Sequence, residues 1–178
     1  PTLMEYLRTA LPEGGTLGFD GRVINARLGA AFLALAKEKN AKLAVGEDLV
    51  GIIWDDRPAL PQGKVRILTA EYAGRSAQDK LAAVRGEMKK QGAGVHLLTS
   101  LYDIAWLLNV RGGDIEYVPV VLSYLALTEK NCFWFVQDAI LTPELRDYLA
   151  SVGVETRPYE SCYAYAAAIP AGETVLLD

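Results

Sequence analysis

Histidine occurs once in these 178 residues and cysteine twice, and the two scarcities remove most ways of building a catalytic centre. A bound metal needs several His, Cys or carboxylate ligands at set spacings, and His96 has neither a second histidine nor a cysteine pair beside it. A Ser-His-Asp or Cys-His relay would have to be built on His96, inside the apolar "GVHLLT". Neither Ser100 nor Cys132 lies in a nucleophile-elbow pattern, so His96 reads as a partly buried structural residue. Cys132 and Cys162 make no disulfide framework, and a reduced cytoplasmic protein is expected. Basic stripes are lacking too. Eighteen Lys and Arg against 22 Asp and Glu give a net charge of −4, which argues against a nucleic-acid partner. No apolar run is long enough to cross a bilayer, and the N-terminus has no signal-peptide pattern, so no membrane partner is expected. Phosphate-cradling glycines are absent as well: "EGGTLG" (13–18) precedes a strand and "QGAG" (91–94) ends a helix.

What is present is a regular α/β pattern. Thr2 and Glu5 stand at capping-box spacing before "LMEYLRTAL". "TLGFD" (16–20) and "AKLAV" (41–45) read as strands on either side of a helix over 26–39, whose Leu28, Ala31, Phe32 and Leu35 form one stripe. "DLVGIIW" reads as a short helical turn, and "DDRPALPQGK" (55–64) as a linker. Beyond it, strands are expected at "VRILTA" (65–70) and "VHLLT" (95–99), with helices capped by Ser76 and Ser100. "PVVLSYLAL" (119–127) and "CFWFV" (132–136) read as a hairpin turning at "TEKN". Thr142-Pro143-Glu144 starts a helix that Gly153 stops. "VETRPY", "ESCYAYAAAI" and "TVLLD" follow as strand, helix and strand. Trp106 and Trp134 are expected in the core and Tyr163 and Tyr165 in packing roles, with Trp54 at the seam of the two units. The class is α/β: a mixed sheet flanked by helices, preceded by part of a similar unit.

Three stretches carry a family resemblance: "DLVGIIWDDRPALP" (48–61), "SAQDKLAAVRGEM" (76–88) and "TSLYDIAWLLNVRGGDIEYVPVVLSY" (99–124). Together they resemble the three-domain Xaa-Pro aminopeptidases (aminopeptidase P) of the creatinase/prolidase group, and "PTLMEYLRTALPEGGTLGFD" (1–20) is similar to the close of that family's first domain. One departure is Tyr102, which stands where the family usually has the first of two acids and leaves only Asp103. The resemblance implies residues 1–58 as the C-terminal part of a first creatinase-like domain, 59–64 as a linker, and 65–178 as most of a second. It implies a fragment, in keeping with a chain that opens on Pro1 and closes on an apolar strand. The catalytic domain, with a dinuclear manganese site, is expected outside this chain, which alone is expected to be inactive. Expected partners are that domain, a second copy in a homodimer, and peptide substrate. The alternative is a free-standing binding module of the same fold without a peptidase.

The loop "RGGDIEY" (111–117) sits between two apolar segments. Its bland reading is a charged turn in which Arg111 pairs with Asp114, worth ~0.5 kcal/mol if exposed. Its functional reading is a substrate rim or domain interface, with Arg111, Asp114, Glu116 and Tyr117 as candidates. There Arg111 receives a carboxylate bidentately, and Asp114 or Glu116 meets a cation or peptide amine.

Overall fold

Local capping chemistry starts the chain. In the computed structural model, which describes residues 1–177, the Glu5 N–H donates to Thr2 Oγ1 and the Thr2 N–H to Glu5 Oε2, opening helix α1 (Leu3–Ala10). Strands β1 (Thr16–Gly18) and β2 (Lys42–Ala44) pair in parallel across helix α2 (Ala26–Glu38). Asn25 caps α2, and its inner face buries Phe32, Leu35 and Ala36. Phe19 meets Phe32 with ring centroids 4.9 Å apart. Helix α3 (Leu49–Ile53) follows, with Leu49, Val50, Ile52 and Ile53 exposed. These elements make one unit, Pro1–Ala59; Leu60–Asp178 makes the other.

The second unit begins with a two-residue ribbon. Strand β3 (Arg66–Ile67) pairs antiparallel with β5 (Val110–Arg111). Between them run α4 (Ala70–Ala73), α5 (Ala77–Lys90), β4 (Val95–Leu98) and α6 (Leu101–Leu107). Then come β6 (Tyr124–Thr128), β7 (Cys132–Val136), a 3-10 turn at Asp138–Ile140, α7 (Pro143–Ser151), β8 (Glu155–Pro158), α8 (Ser161–Ala167) and β9 (Val175–Leu177). Asp178, the last residue of the expected terminal strand, lies outside the described residues. The sheet order is β8-β7-β6-β4-β9; β6 is antiparallel to β4 and β7, while β8 and β9 join in parallel. The sheet is therefore mixed, as expected.

Alternation along the strands divides the core. Leu125, Leu127, Cys132, Trp134 and Val136 face Leu81, Met88, Ile104, Leu107, Leu145 and Leu149 from α5, α6 and α7. Ala126, Phe133 and Phe135 face the other way, where Cys162 and Tyr165 of α8 cover them. Tyr165 lies 5.5 Å from the rings of both Phe133 and Phe135, and the Tyr163 and Tyr124 hydroxyls are 2.8 Å apart, so the packing role expected for both tyrosines holds.

Two segments depart from the sequence expectation. "VRILTA" is sheet only at Arg66–Ile67, because Thr69 takes the N-cap position of α4. The strand expected from Pro119 starts at Tyr124. Its earlier backbone groups are engaged elsewhere: the Leu122 N–H donates to Asp114 Oδ2, and the Val120 carbonyl accepts from the Asp114 N–H. Trp134 is fully buried, whereas Trp106, expected in the core, is 48% exposed. The buried face of α6 is made by Ile104, Ala105 and Leu107, which turns Trp106 outward.

Candidate functional site

The loop after β5 is built as a rigid projection. Gly112 lies so close to Val120 and Val121 that a Cβ there would meet the Val120 carbonyl oxygen at 2.6 Å. A Cβ on Gly63 would likewise overlap the Gly113 backbone. The glycines of "RGGD" and of the preceding linker thus permit close backbone approach. Asp114 holds that approach in place: Oδ1 accepts the Gly63 N–H at 2.8 Å and Oδ2 the Leu122 N–H at 2.8 Å. At the tip, Ile115 and Val118 form an antiparallel bridge, with the Val118 N–H donating to the Ile115 carbonyl.

Arg111 and Asp114 are not each other's partner, contrary to the simple charged-turn reading. Each engages backbone instead. Arg111 Nη1 donates to the Ala105 and Val110 carbonyls, both at 2.8 Å, closing the C-terminus of α6. Glu116 is exposed, and Tyr117 is 95% exposed at φ +64. A bulky residue in the left-handed region costs roughly 1–2 kcal/mol, so the tip holds an aromatic ring in solvent against local preference. Asp114 holds the loop from within, Arg111 anchors its base through Nη1 alone, and Glu116 and Tyr117 stand exposed at its tip.

Beneath the loop lies a group that sequence reasoning missed. Lys80 is 2% exposed, and its ammonium donates to the Trp106 carbonyl at 2.8 Å and to Asn109 Oδ1 at 2.6 Å. The indole of Trp106 covers it, with Nζ 4.5 Å from the ring centroid. Asn109, at φ +52, donates in turn to the Arg75 carbonyl. No carboxylate pairs with Lys80 among the described residues. Burial first, and then the positive charges of Arg111 and Arg75, hold its pKa below the ordinary lysine value. Lysine is so rarely buried that no pattern in "SAQDKLAAV" marks this position. Across the ribbon, Arg66 is in direct register with Arg111.

His96 sits where its structural reading placed it. Its Nδ1 is 3.2 Å from the Leu176 carbonyl on β9, and it borders a small hollow of about 170 Å³ with Val84, Asp103 and Trp106. Among the described residues no group of three or more His, Cys, Asp or Glu is placed to hold a metal ion, so these residues do not fit a dinuclear centre. Both cysteines are free; burial pushes Cys132 up to about 12 and Cys162 to about 11, the opposite of an activated thiol.

The "DLVGIIWDDRP" stretch has its own lock within the first unit. Asp48 Oδ1 accepts the Gly51 N–H at 2.8 Å, and Oδ2 accepts Arg57 Nη1 at 2.6 Å. These bonds, Gly51 first, hold the Asp48 carboxyl below the usual carboxylate range. The Arg57 guanidinium stands 5.8 Å from the Trp54 ring centroid. Asp48, Trp54 and Arg57 therefore act as one cap-and-stack device, a physical reason for their spacing.

Comparison with known proteins agrees with these motifs. The model of the creatinase/prolidase N-terminal domain matches residues 56–178. A probable Xaa-Pro aminopeptidase P of Penicillium rubens is 38% identical over 95% of this chain and 28% of its own length. Aminopeptidase P2 of Arabidopsis thaliana is 33% identical over 90% of this chain and 23% of its own. The crystal structure of X-prolyl aminopeptidase from Caenorhabditis elegans, described as a cytosolic enzyme with a di-nuclear active site, superposes with a TM-score of 0.85. Its identity is 27%, over 94% of this chain and 27% of the nematode chain. The chain spans about a quarter of the length of the relatives it matches. With its domain model, its three motifs and its fold in agreement, the chain belongs to the creatinase/prolidase N-terminal domain family.

Proposed function

We propose that this chain is a non-catalytic N-terminal region of an Xaa-Pro aminopeptidase, a metallopeptidase that removes an N-terminal residue preceding proline. Its work is to shape access to the cleft of a catalytic domain on the same polypeptide and to contribute to homodimerisation in the cytoplasm. The observation that carries this reading is coverage: nearly the whole chain aligns with aminopeptidases P, yet it occupies only 28% of the Penicillium protein. In this reading the dinuclear manganese site belongs to that other domain; the di-nuclear active site described for the nematode enzyme supports it. Residues 1–58 are the end of a first creatinase-like domain and 65–178 most of a second, with 59–64 connecting them.

Within this reading the Arg111–Tyr117 loop is the rim turned toward substrate, the catalytic domain or the dimer mate. Asp114 fixes its shape from within, and Arg111, Glu116 and Tyr117 are the groups offered outward. The rigidity of the loop and the strained, almost fully exposed Tyr117 support this assignment. In the intact enzyme, Arg111→Ala is expected to lower proline-peptidase activity or dimerisation far more than Lys130→Ala in the β6–β7 turn. Steady-state hydrolysis of a proline-containing peptide and sedimentation of both variants provide the measurement. Two unaffected variants overturn the assignment.

A further inference from the structure

The two-stranded ribbon at the base of the loop carries an electrostatic anomaly. Arg66 and Arg111 are directly opposite each other in antiparallel register. Their neighbours Ile67 and Val110 pack into the core, so the two arginines share the outer face. Like charges directly opposite on a ribbon are destabilising. Yet among the described residues neither Arg66 nor Arg111 is paired with a carboxylate, and the Lys80 ammonium nearby has only carbonyl and amide oxygens. The one acid of the loop that reaches inward, Asp114, already accepts from two backbone N–H groups. In a molecule of net charge −4, this is a local excess of positive charge without a counter-ion among the described residues.

The arrangement of donors narrows what would compensate it. Both bonds made by Arg111 use Nη1, leaving the Nε–Nη2 edge of its planar fork without a partner among the described residues. That edge matches a planar anion with two oxygens. The cluster is small and the surrounding molecule acidic, so it suits one anion rather than a polyanion such as nucleic acid. We propose that the Arg66–Arg111 pair, backed by the buried Lys80 ammonium, is a binding site for a single carboxylate, received by Arg111 on its free Nε–Nη2 edge and neutralised jointly by Arg66. The carboxylate belongs to polypeptide: either the free C-terminus of a peptide or an acidic side chain of an adjoining segment. A peptide terminus rests on the aminopeptidase reading above; the carboxylate chemistry stands without it.

The test is a titration of the 178-residue chain followed through the arginine Nε–H resonances. Acetate and the tripeptide Ala-Pro-Ala as free acid are expected to shift Arg111 and Arg66 saturably, and the C-terminal amide of the same tripeptide to leave them still. An aspartyl tripeptide blocked at both ends separates the sources: binding equal to the free acid assigns a protein side chain, and weaker binding assigns a peptide terminus. Arg111→Lys keeps the charge without the fork, and Arg66→Gln removes its partner; each is expected to weaken binding roughly tenfold. Arg66→Gln also raises the urea midpoint by relieving the like-charge contact, a gain that a purely structural arginine would not give. Arg146→Gln, on α7 and ion-paired with Asp138 of the 3-10 turn, leaves binding unchanged. Shifts that do not saturate, an amide that binds as well as the acid, or equal weakening by Arg146→Gln overturns the proposal. Peptidase activity is not read in this titration, so failure of the aminopeptidase assignment and failure of the carboxylate site are separate results.

Discussion

Lys80 brings a full charge to a place where, among the described residues, no carboxylate meets it, and what it meets instead decides how it behaves. Its ammonium satisfies the Trp106 carbonyl and Asn109 Oδ1 under an indole lid. Lys80→Met leaves both acceptors buried without a donor and is expected to cost about 2 kcal/mol at neutral pH. The pH dependence has a definite sign. The folded pKa of Lys80 lies below its ordinary 10.5, so between the two values the unfolded chain binds more protons and stability rises with pH. Urea midpoints at pH 8 and pH 10 should therefore show the gap between wild type and Lys80→Met widening. A constant or narrowing gap removes the charged lysine from this account. Sequence pattern carried none of this, because Lys80 lies amid the polar residues of a capped helix and its partners come from α6 and the turn after it. Trp106 went astray for the same reason: its partner is a lysine 26 positions earlier.

At the level of elements, what was legible was local. Capping by Thr2, Ser76, Ser100 and Thr142 follows from chemistry within one helical turn, and each cap is present. The alternating strands β6 and β7 and the helix stripes were equally readable, since each reflects one buried face. The late start of β6 was not, because its cause is the carboxylate of Asp114 reaching the Leu122 N–H. Within the candidate site, the sequence marked the loop and its four residues but not the division of labour among them. Asp114→Asn sets an amide donor against one of two backbone N–H groups, and a loss of about 2 kcal/mol of local stability is expected. Hydrogen exchange is the measurement: the Gly63 and Leu122 amides should exchange faster, while amides between β6 and β7 keep their protection. Uniform acceleration across the sheet would mean that Asp114 supports the whole unit rather than the loop.

For the whole molecule, the unequal cores of the two units matter most. Pro1–Ala59 buries Leu11, Phe32, Leu35 and Ala36, whereas the second unit closes a five-stranded sheet over two apolar faces. Small cores give marginal stability. Residues 60–178 produced alone are expected to unfold cooperatively at the same urea midpoint as the second transition of the full chain, with residues 1–59 accounting for an earlier one. Circular dichroism of both chains checks this; a single transition shared by all residues overturns it. The Asp114 clasp adds a consequence in time. It joins Gly63 to a carboxylate 51 residues later, across β4, α5 and α6. Contacts of such long sequence separation carry a large loop-closure entropy and form after the local ones. The loop therefore acquires its shape only once the unit beneath it has assembled, so Asp114→Asn should speed unfolding and leave the folding rate nearly untouched. A chain still being folded offers no finished rim for anything to grip.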